Sequence, residues 1–243
     1  MKKTKTIAVI PARYGSTRFP GKPLALIAGK PMIQHVYEKA QQAKQINEVI
    51  VATDDDRIKD CVESFGGKIV MTAESHPSGT DRIAEAVEKS DAKIIVNIQG
   101  DEPLISPKII DQLVCATIKS NAQMGTVAVP IQRSSNEAQD PNIVKVITNS
   151  DGYAIYFSRS LIPFMRDGAD DCPPMKHWGL YSYKRNFLEK FVSWEQSSLE
   201  KCEKLEQLRA VEHGVKILVI KTDKQTYGVD TPEDILKVEA ELQ

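Results

Sequence analysis

The sequence predicts an α/β fold: a mostly parallel sheet with helices on both faces and an antiparallel insertion over roughly residues 130–195. Three observations carry this. Short β-branched runs alternate with amphipathic stretches up to residue 98. After about residue 120, strand-like runs follow one another with only turns between them. An apolar run and a helical pattern then return at the C-terminal end.

In chain order, "TIAVI" (6–10), "NEVIVAT" (47–53), "GKIVM" (67–71) and "AKIIVNI" (92–98) read as strands, several apolar enough to be buried on both faces. The first helix begins at Pro31, whose fixed φ suits a first turn, and runs through "MIQHVYEKAQQA". "DDRIKDCVESF" is a second helix closed by Gly66 and Gly67, and "TDRIAEAVEKS" a third. "MGTVAVPI", "NIVKVIT", "YAIYFS" and "MKHWGLYSY" are strands, the middle two joined by the turn "NSDG". "SSLEKCEKLEQLRAVEHG" is a single helix ending at Gly214, with Leu199, Cys202, Leu205 and Leu208 as its apolar seam. "VKILVIKT" is a strand and "TPEDILKVEAEL" a closing helix. No repeat or low-complexity linker divides the 243 residues, so the expectation is one domain over 1–243.

Composition narrows the function. A net charge of −1 gives no global attraction to nucleic acid or anionic membrane, so anion binding must come from a local cluster of cations. The four cysteines (Cys61, Cys115, Cys172, Cys202) are widely spaced without a CxxC pair, which predicts buried free thiols in a reducing cytoplasm. The N-terminal apolar run is too short for a signal peptide, and no stretch reaches membrane-spanning length.

Four polar segments follow predicted strands, where α/β sheets place their ligands. The first, "IPARYGSTRFPGKPL", carries Arg13, Arg18 and Lys22 with no acid, and glycines at 15 and 21 where backbone can approach a ligand. Five residues separate those glycines and Pro23 follows Lys22, so it is not a Walker A loop. Pro20 and Pro23 predict an extended segment, with Lys22 off any helix start. Three cations suit a polyanion such as a triphosphate; the same residues would also make an exposed basic turn. "PSGTDR" offers Ser78 or Thr80 as a helix cap whose free amides would face a base or phosphate. "NIQGDEP" ends an apolar strand on Asp101 and Glu102. "GVDTPEDIL" makes Thr231 a cap, with Asp234 three residues on, and leaves Asp230 spare to join Asp101 on a metal. The run Asp54-Asp55-Asp56 reads instead as a helix cap. Arg159, His177, Tyr181, Glu206 and Gln207 are candidates for a polar pocket, although single residues of these types more often serve structure, and Glu206-Gln207 read as a solvated helix side.

These segments, together with "GKPMIQHVYEKA", "VATDDDRI", "SGTDRIAEA", "VNIQGDEPLI", "YFSRSLIPF", "KHWGLYSYKRNF" and "EKLEQLRAVEHG", resemble the bacterial 3-deoxy-manno-octulosonate (Kdo) cytidylyltransferases along nearly the whole chain. The resemblance implies a nucleotidyltransferase Rossmann-like fold, a cytosolic homodimer and a magnesium cofactor. It implies the reaction of CTP with an eight-carbon acid sugar to give CMP-Kdo and pyrophosphate for lipopolysaccharide biosynthesis. By residue it implies catalytic roles for Arg13, Lys22, Asp101 and Asp230, the two aspartates binding the metal. It implies CTP contacts from Pro11, Ala12, Arg13, Ser16, Arg18, Lys22, Ser78, Gly79, Thr80 and Asp81. Sugar contacts would come from Gln99, Arg159, His177, Tyr181, Glu206 and Gln207. Trp178 and the acidic 165–175 segment depart from the family pattern. The alternatives are the same chemistry on 8-amino-Kdo or sialic acid, or a non-catalytic nucleotide-binding protein, which would be expected to lack Asp101 or Asp230.

Overall fold

A computed structural model describes residues 4–15, 19–166, 172–224 and 227–242. The elements run β1 (Thr6–Pro11), a 3-10 turn (Lys22–Leu24), β2 (Leu26–Ile27), β3 (Lys30–Pro31), α1 (Met32–Gln41), β4 (Glu48–Thr53), α2 (Asp56–Ser64), β5 (Ile69–Met71), α3 (Gly79–Ala86), β6 (Ile94–Asn97) and α4 (Pro107–Lys119). There follow β7 (Met124–Pro130), α5 (Asn136–Gln139), β8 (Lys145–Thr148), β9 (Ala154–Ser158), β10 (Met175–Lys184), α6 (Arg185–Val192), α7 (Ser198–Glu203), α8 (Gln207–Glu212), β11 (Ile217–Lys221) and α9 (Pro232–Leu242). They group into two compact units, residues 1–114 with 226–243, and residues 115–225. The insertion expected over 130–195 falls inside the second.

In the first unit the strands run parallel in the order β6-β1-β4-β5. Central β1 is buried from Thr6 to Ile10, which is why it reads as an unbroken apolar run rather than an alternation. The amphipathic helices turn Met32, Ile33, Val36, Tyr37 and Ala40 of α1 and Ile58 and Val62 of α2 inward. The acidic run at 54–56 divides its work. Asp55 caps α2 by accepting from the Arg57 amide at 3.0 Å, whereas Asp54 pairs at 2.7 Å with Arg82, a side chain wholly out of solvent. The cap reading therefore holds for Asp55 and not for Asp54.

The segment before α9 keeps the Asp234 half of its sequence signature, while the Thr231 hydroxyl donates to that carboxylate rather than capping the helix amides. Asp234 accepts from the amides of Asp230 (3.1 Å) and Thr231 (3.0 Å) and from the Thr231 hydroxyl (3.2 Å). Partial burial pushes the Asp234 pKa up, but Lys237 and these amides outweigh it and bring it down to about 2. A carboxyl depressed in the folded state contributes stability above its unfolded pKa of about 3.9 and loses it as pH falls towards the folded value. Asp234→Ala should cost about 1–2 kcal/mol at neutral pH, read from urea unfolding, and the gap to wild type should close between about pH 4 and pH 2.

In the second unit, β11 joins β7 in parallel, and β7, β10, β8 and β9 pair antiparallel in succession. Thus both the parallel sheet and the antiparallel strands of the predicted fold class are present. Three helical elements that the sequence reading passed over are α4, α5 and α6. The expected single helix over 197–214 is instead two: Lys204 adopts a left-handed conformation (φ 54°) and ends α7, and α8 starts at Gln207. Gln207 is buried rather than solvated and Cys202 is exposed, which corrects the expected solvated side at Gln207 and the expected seam at Cys202. All four cysteines are free thiols, but none is buried: Cys61 and Cys115 are partly exposed and Cys172 and Cys202 exposed.

Candidate active site

The first unit gathers the four polar segments. Gly100, just past β6, lies where an added Cβ would meet the Pro11 carbonyl at 3.3 Å, so the ends of β1 and β6 touch through backbone. Gly79 likewise sits 3.6 Å from the Pro11 ring, measured from its would-be Cβ. The Val229 amide donates to the Asp101 carbonyl at 2.9 Å, and Val229 packs with Ile27, Met32 and Val238 in a buried cluster against which Phe19 leans. The loop and the C-terminal segment therefore share one apolar anchor. A cavity of about 180 Å³ opens at this point, lined by Pro11, Ala12, Arg13, Lys22, Gln99 and Asp101 among others.

Lys22 is the electrostatic centre. Its ammonium lies 2.6 Å from Asp101 Oδ2 and 3.7 Å from Asp230 Oδ1, and it donates to the Val229 carbonyl at 2.9 Å. One cation thus collects the two aspartates that the sequence singled out, one just past β6 and the other just before α9. Arg13 donates to the His76 carbonyl at 2.9 Å, tying the loop to the segment before α3. The loop is not extended throughout: Lys22 opens a 3-10 turn, correcting the expectation drawn from Pro23. Gly21 at φ 70° sets the direction of entry, and Pro23 in a first turn forfeits no hydrogen bond that the turn would have made. Ser16 and Arg18 lie outside the described residues.

Gly21 has a further constraint. The Tyr14 ring lies against it, with the Arg57 guanidinium 3.3 Å from the ring centroid and Arg57 itself held by Asp55 at 2.6 Å. A Cβ on Gly21 would stand 3.2 Å from the Tyr14 ring. Gly21→Ala should cost about 1–2 kcal/mol for the left-handed backbone alone, and by moving Lys22 should raise the KM for any anionic substrate bound at this cavity. Urea unfolding and steady-state kinetics would check both.

Ser78, Gly79, Thr80 and Asp81 form the start of α3. The Ser78 hydroxyl oxygen accepts from the amides of Thr80 (3.1 Å) and Asp81 (3.2 Å) and donates to Asp81 at 2.6 Å, so capping occupies it. Gln99 donates to Asn97 at 3.0 Å.

The other five predicted sugar residues lie in the second unit. His177 packs edge-on to Phe157 with ring centroids 5.0 Å apart and beside Tyr181 at 5.3 Å. Burial brings the His177 pKa down to about 3, leaving a neutral imidazole, and raises that of Tyr181, with Tyr183 and Glu206 adding to the rise. Arg159 donates from its guanidinium to the carbonyls of Glu203 (2.7 Å), Pro141 (2.9 Å) and Lys204 (3.4 Å), bracing the break between α7 and α8. Glu206 and Gln207 begin α8 directly after that break.

Sequence reasoning missed what holds α8. Arg209 and Glu200 form a doubly hydrogen-bonded pair (2.8 and 2.7 Å), each about 5% exposed, and the Arg209 guanidinium also lies 4.7 Å from the Phe191 ring centroid. Its only sequence signal was the S-x-x-E pattern at Ser197 and Glu200, which names the capping box that Glu200 also forms and not the arginine beyond it.

A family model described as cytidylyltransferase matches residues 7–217. The 3-deoxy-manno-octulosonate cytidylyltransferase of Thermodesulfovibrio yellowstonii is 52% identical over 95% of each chain. That of Geobacter sulfurreducens is 50% identical over 97% of this chain and 98% of its own. The chain belongs to the 3-deoxy-manno-octulosonate cytidylyltransferase family. A solved member of this family, a CMP:2-keto-3-deoxy-manno-octonic acid synthetase complexed with CTP, superposes with a TM-score of 0.93, at 44% identity and covering 98% of both chains. The family match takes in the 11–24 loop, Asp101 and all five candidates of the second unit, and stops before Asp230.

Proposed function

We propose that this chain transfers CMP from CTP to the anomeric oxygen of Kdo, releasing pyrophosphate and supplying CMP-Kdo for lipopolysaccharide assembly. The observation that carries the reading is the Lys22 ammonium drawn between Asp101 and Asp230 beside a strand-end cavity, in a chain half identical to Kdo cytidylyltransferases.

The sugar's anomeric hydroxyl attacks the α-phosphorus of CTP in line. A bond forms from phosphorus to the anomeric oxygen, the bond to the bridging oxygen of pyrophosphate breaks, and the hydroxyl proton is released. Positioning and charge stabilisation account for such a transfer without a protein nucleophile. Arg13 and Lys22 bind the triphosphate and neutralise charge developing on the departing pyrophosphate. Pro11, Ala12 and the start of α3 (Ser78, Gly79, Thr80, Asp81) border the nucleotide, and Ser16 and Arg18 extend the loop's grip. Gln99, Arg159, His177, Tyr181, Glu206 and Gln207 bind the acid sugar.

Asp101 and Asp230 fit a magnesium ion. They are hard oxygen donors already gathered around one positive charge, and magnesium binds through one or two carboxylates, with waters and substrate phosphates completing its shell. Among the described residues no cluster of three or more acidic, histidine or cysteine side chains would make an all-protein cage. Magnesium held by the two aspartates would lower the hydroxyl's pKa and offset charge on the α-phosphate.

The enzyme works as a cytoplasmic homodimer. Free thiols suit a reducing compartment, and the exposed Phe164 and Ile155 are apolar surface that a second copy would cover. No helix among the described residues is long and apolar enough to cross a membrane.

Kdo carrying oxygen-18 at the anomeric position tests the mechanism. Mass spectrometry should find the label in the CMP-sugar and none in pyrophosphate; an unlabelled CMP-sugar or label in pyrophosphate would contradict it.

A further inference from the structure

Thr126, on β7 and wholly buried, places its hydroxyl oxygen 2.9 Å from the Leu180 carbonyl, 3.1 Å from the Trp178 carbonyl and 3.0 Å from His177 Nε2. The two carbonyls flank the irregularity in β10, where the register against β7 shifts between Trp178 and Tyr181. A threonine hydroxyl has one proton and two lone pairs, and carbonyl oxygens only accept. Were the proton directed at His177, both carbonyls would face hydroxyl lone pairs in a dry site, a repulsive arrangement of acceptors. The proton therefore goes to Leu180 or Trp178, and the hydroxyl oxygen accepts from His177 Nε2–H. A neutral imidazole carries one N–H, so Nδ1 is left as a lone-pair acceptor. Among the described residues Nδ1 has no hydrogen-bond partner.

We propose that Thr126 is a positioning residue for sugar recognition: it pins the β10 irregularity and fixes His177 in its Nε2–H form, so that Nδ1 accepts a hydrogen bond from a sugar hydroxyl. The inference rests on the sugar-site reading above and sharpens it. An imidazole held as a pure acceptor selects a hydroxyl and rejects a carboxylate, so recognition of the acid group falls to other residues.

The test uses ¹⁵N-imidazole NMR of the ligand-free protein, with the His177 signals assigned by their loss in His177→Asn, and steady-state kinetics with CTP, magnesium and Kdo. Wild type should show His177 protonated on Nε2. Thr126→Val should shift the ring towards the Nδ1–H form and raise the KM for Kdo about tenfold, the effect of one lost hydrogen bond, with the KM for CTP changed less than about twofold. Thr126→Ser should restore both. Wild-type His177 protonated on Nδ1 would overturn the proposal, and this readout needs no variant to fold. Retention of the Nε2–H form in Thr126→Val would also overturn it, whatever the KM. A shifted tautomer with unchanged KM for Kdo would overturn the recognition step and place the fault in the sugar-site reading.

Discussion

Lys22→Ala is expected to lower turnover by a factor of about 10²–10³, the scale seen when one preorganised charge-stabilising donor is removed from an active site. The circular dichroism spectrum and urea midpoint should stay close to wild type. Two losses combine. The triphosphate loses a cation in a slot where the lysine side chain is only 16% exposed, so water replaces it poorly. Asp101 and Asp230 also lose the charge that gathers them before substrate arrives. Lys22→Arg should recover little, because a planar fork cannot serve two carboxylates and the Val229 carbonyl from the position of a compact ammonium. A Lys22→Ala enzyme turning over at near wild-type rate would remove Lys22 from the chemistry.

The second large effect concerns stability. Arg209→Met strands the Glu200 carboxylate, which is 5% exposed and loses both of its short bonds to the guanidinium. Removing one partner of a buried pair costs about 3–5 kcal/mol, so urea unfolding should register a large fall. Arg209 also donates to the carbonyls of Phe191 (3.3 Å) and Trp194 (3.4 Å), joining the end of α6 to α8, so the KM for the sugar should rise as Glu206 and Gln207 lose their support. Arg209→Met combined with Glu200→Gln should be less destabilised than the single arginine change, because no charge is left buried alone. A single-variant cost below about 1 kcal/mol would mean that water reaches Glu200 and that the pair is not the support of α8.

The parallel core was legible because its strands are apolar on both faces and its helices begin and end on residues with steric reasons to be there: Asp55, Ser78, Gly66. The site was legible in part for the same reason. A carboxylate that the local helix-start pattern leaves without an assigned task, such as Asp230, stands out in the sequence against a signature that explains its neighbours. What the sequence hid are features set by distant partners. Nothing near Lys204 announces a left-handed residue. The break there is held by Arg159, more than forty positions earlier, through the carbonyls of Glu203 and Lys204, and that same break carries Gln207 inward. The 3-10 turn at Lys22 escaped because the rule for a residue before proline disfavours the α region and says less about a single tighter turn entered from glycine. Thr126 was invisible for a related reason: its three partners are brought to it by an irregularity in a strand some fifty residues away.

The central claim, transfer of CMP from CTP to an acid sugar, is tested most directly by pyrophosphate release with CTP and magnesium against a panel of Kdo, 8-amino-Kdo and sialic acid. Release should depend on sugar and be fastest with Kdo. CTP binding without release for any sugar would contradict the account and make the chain a nucleotide-binding protein on a cytidylyltransferase fold.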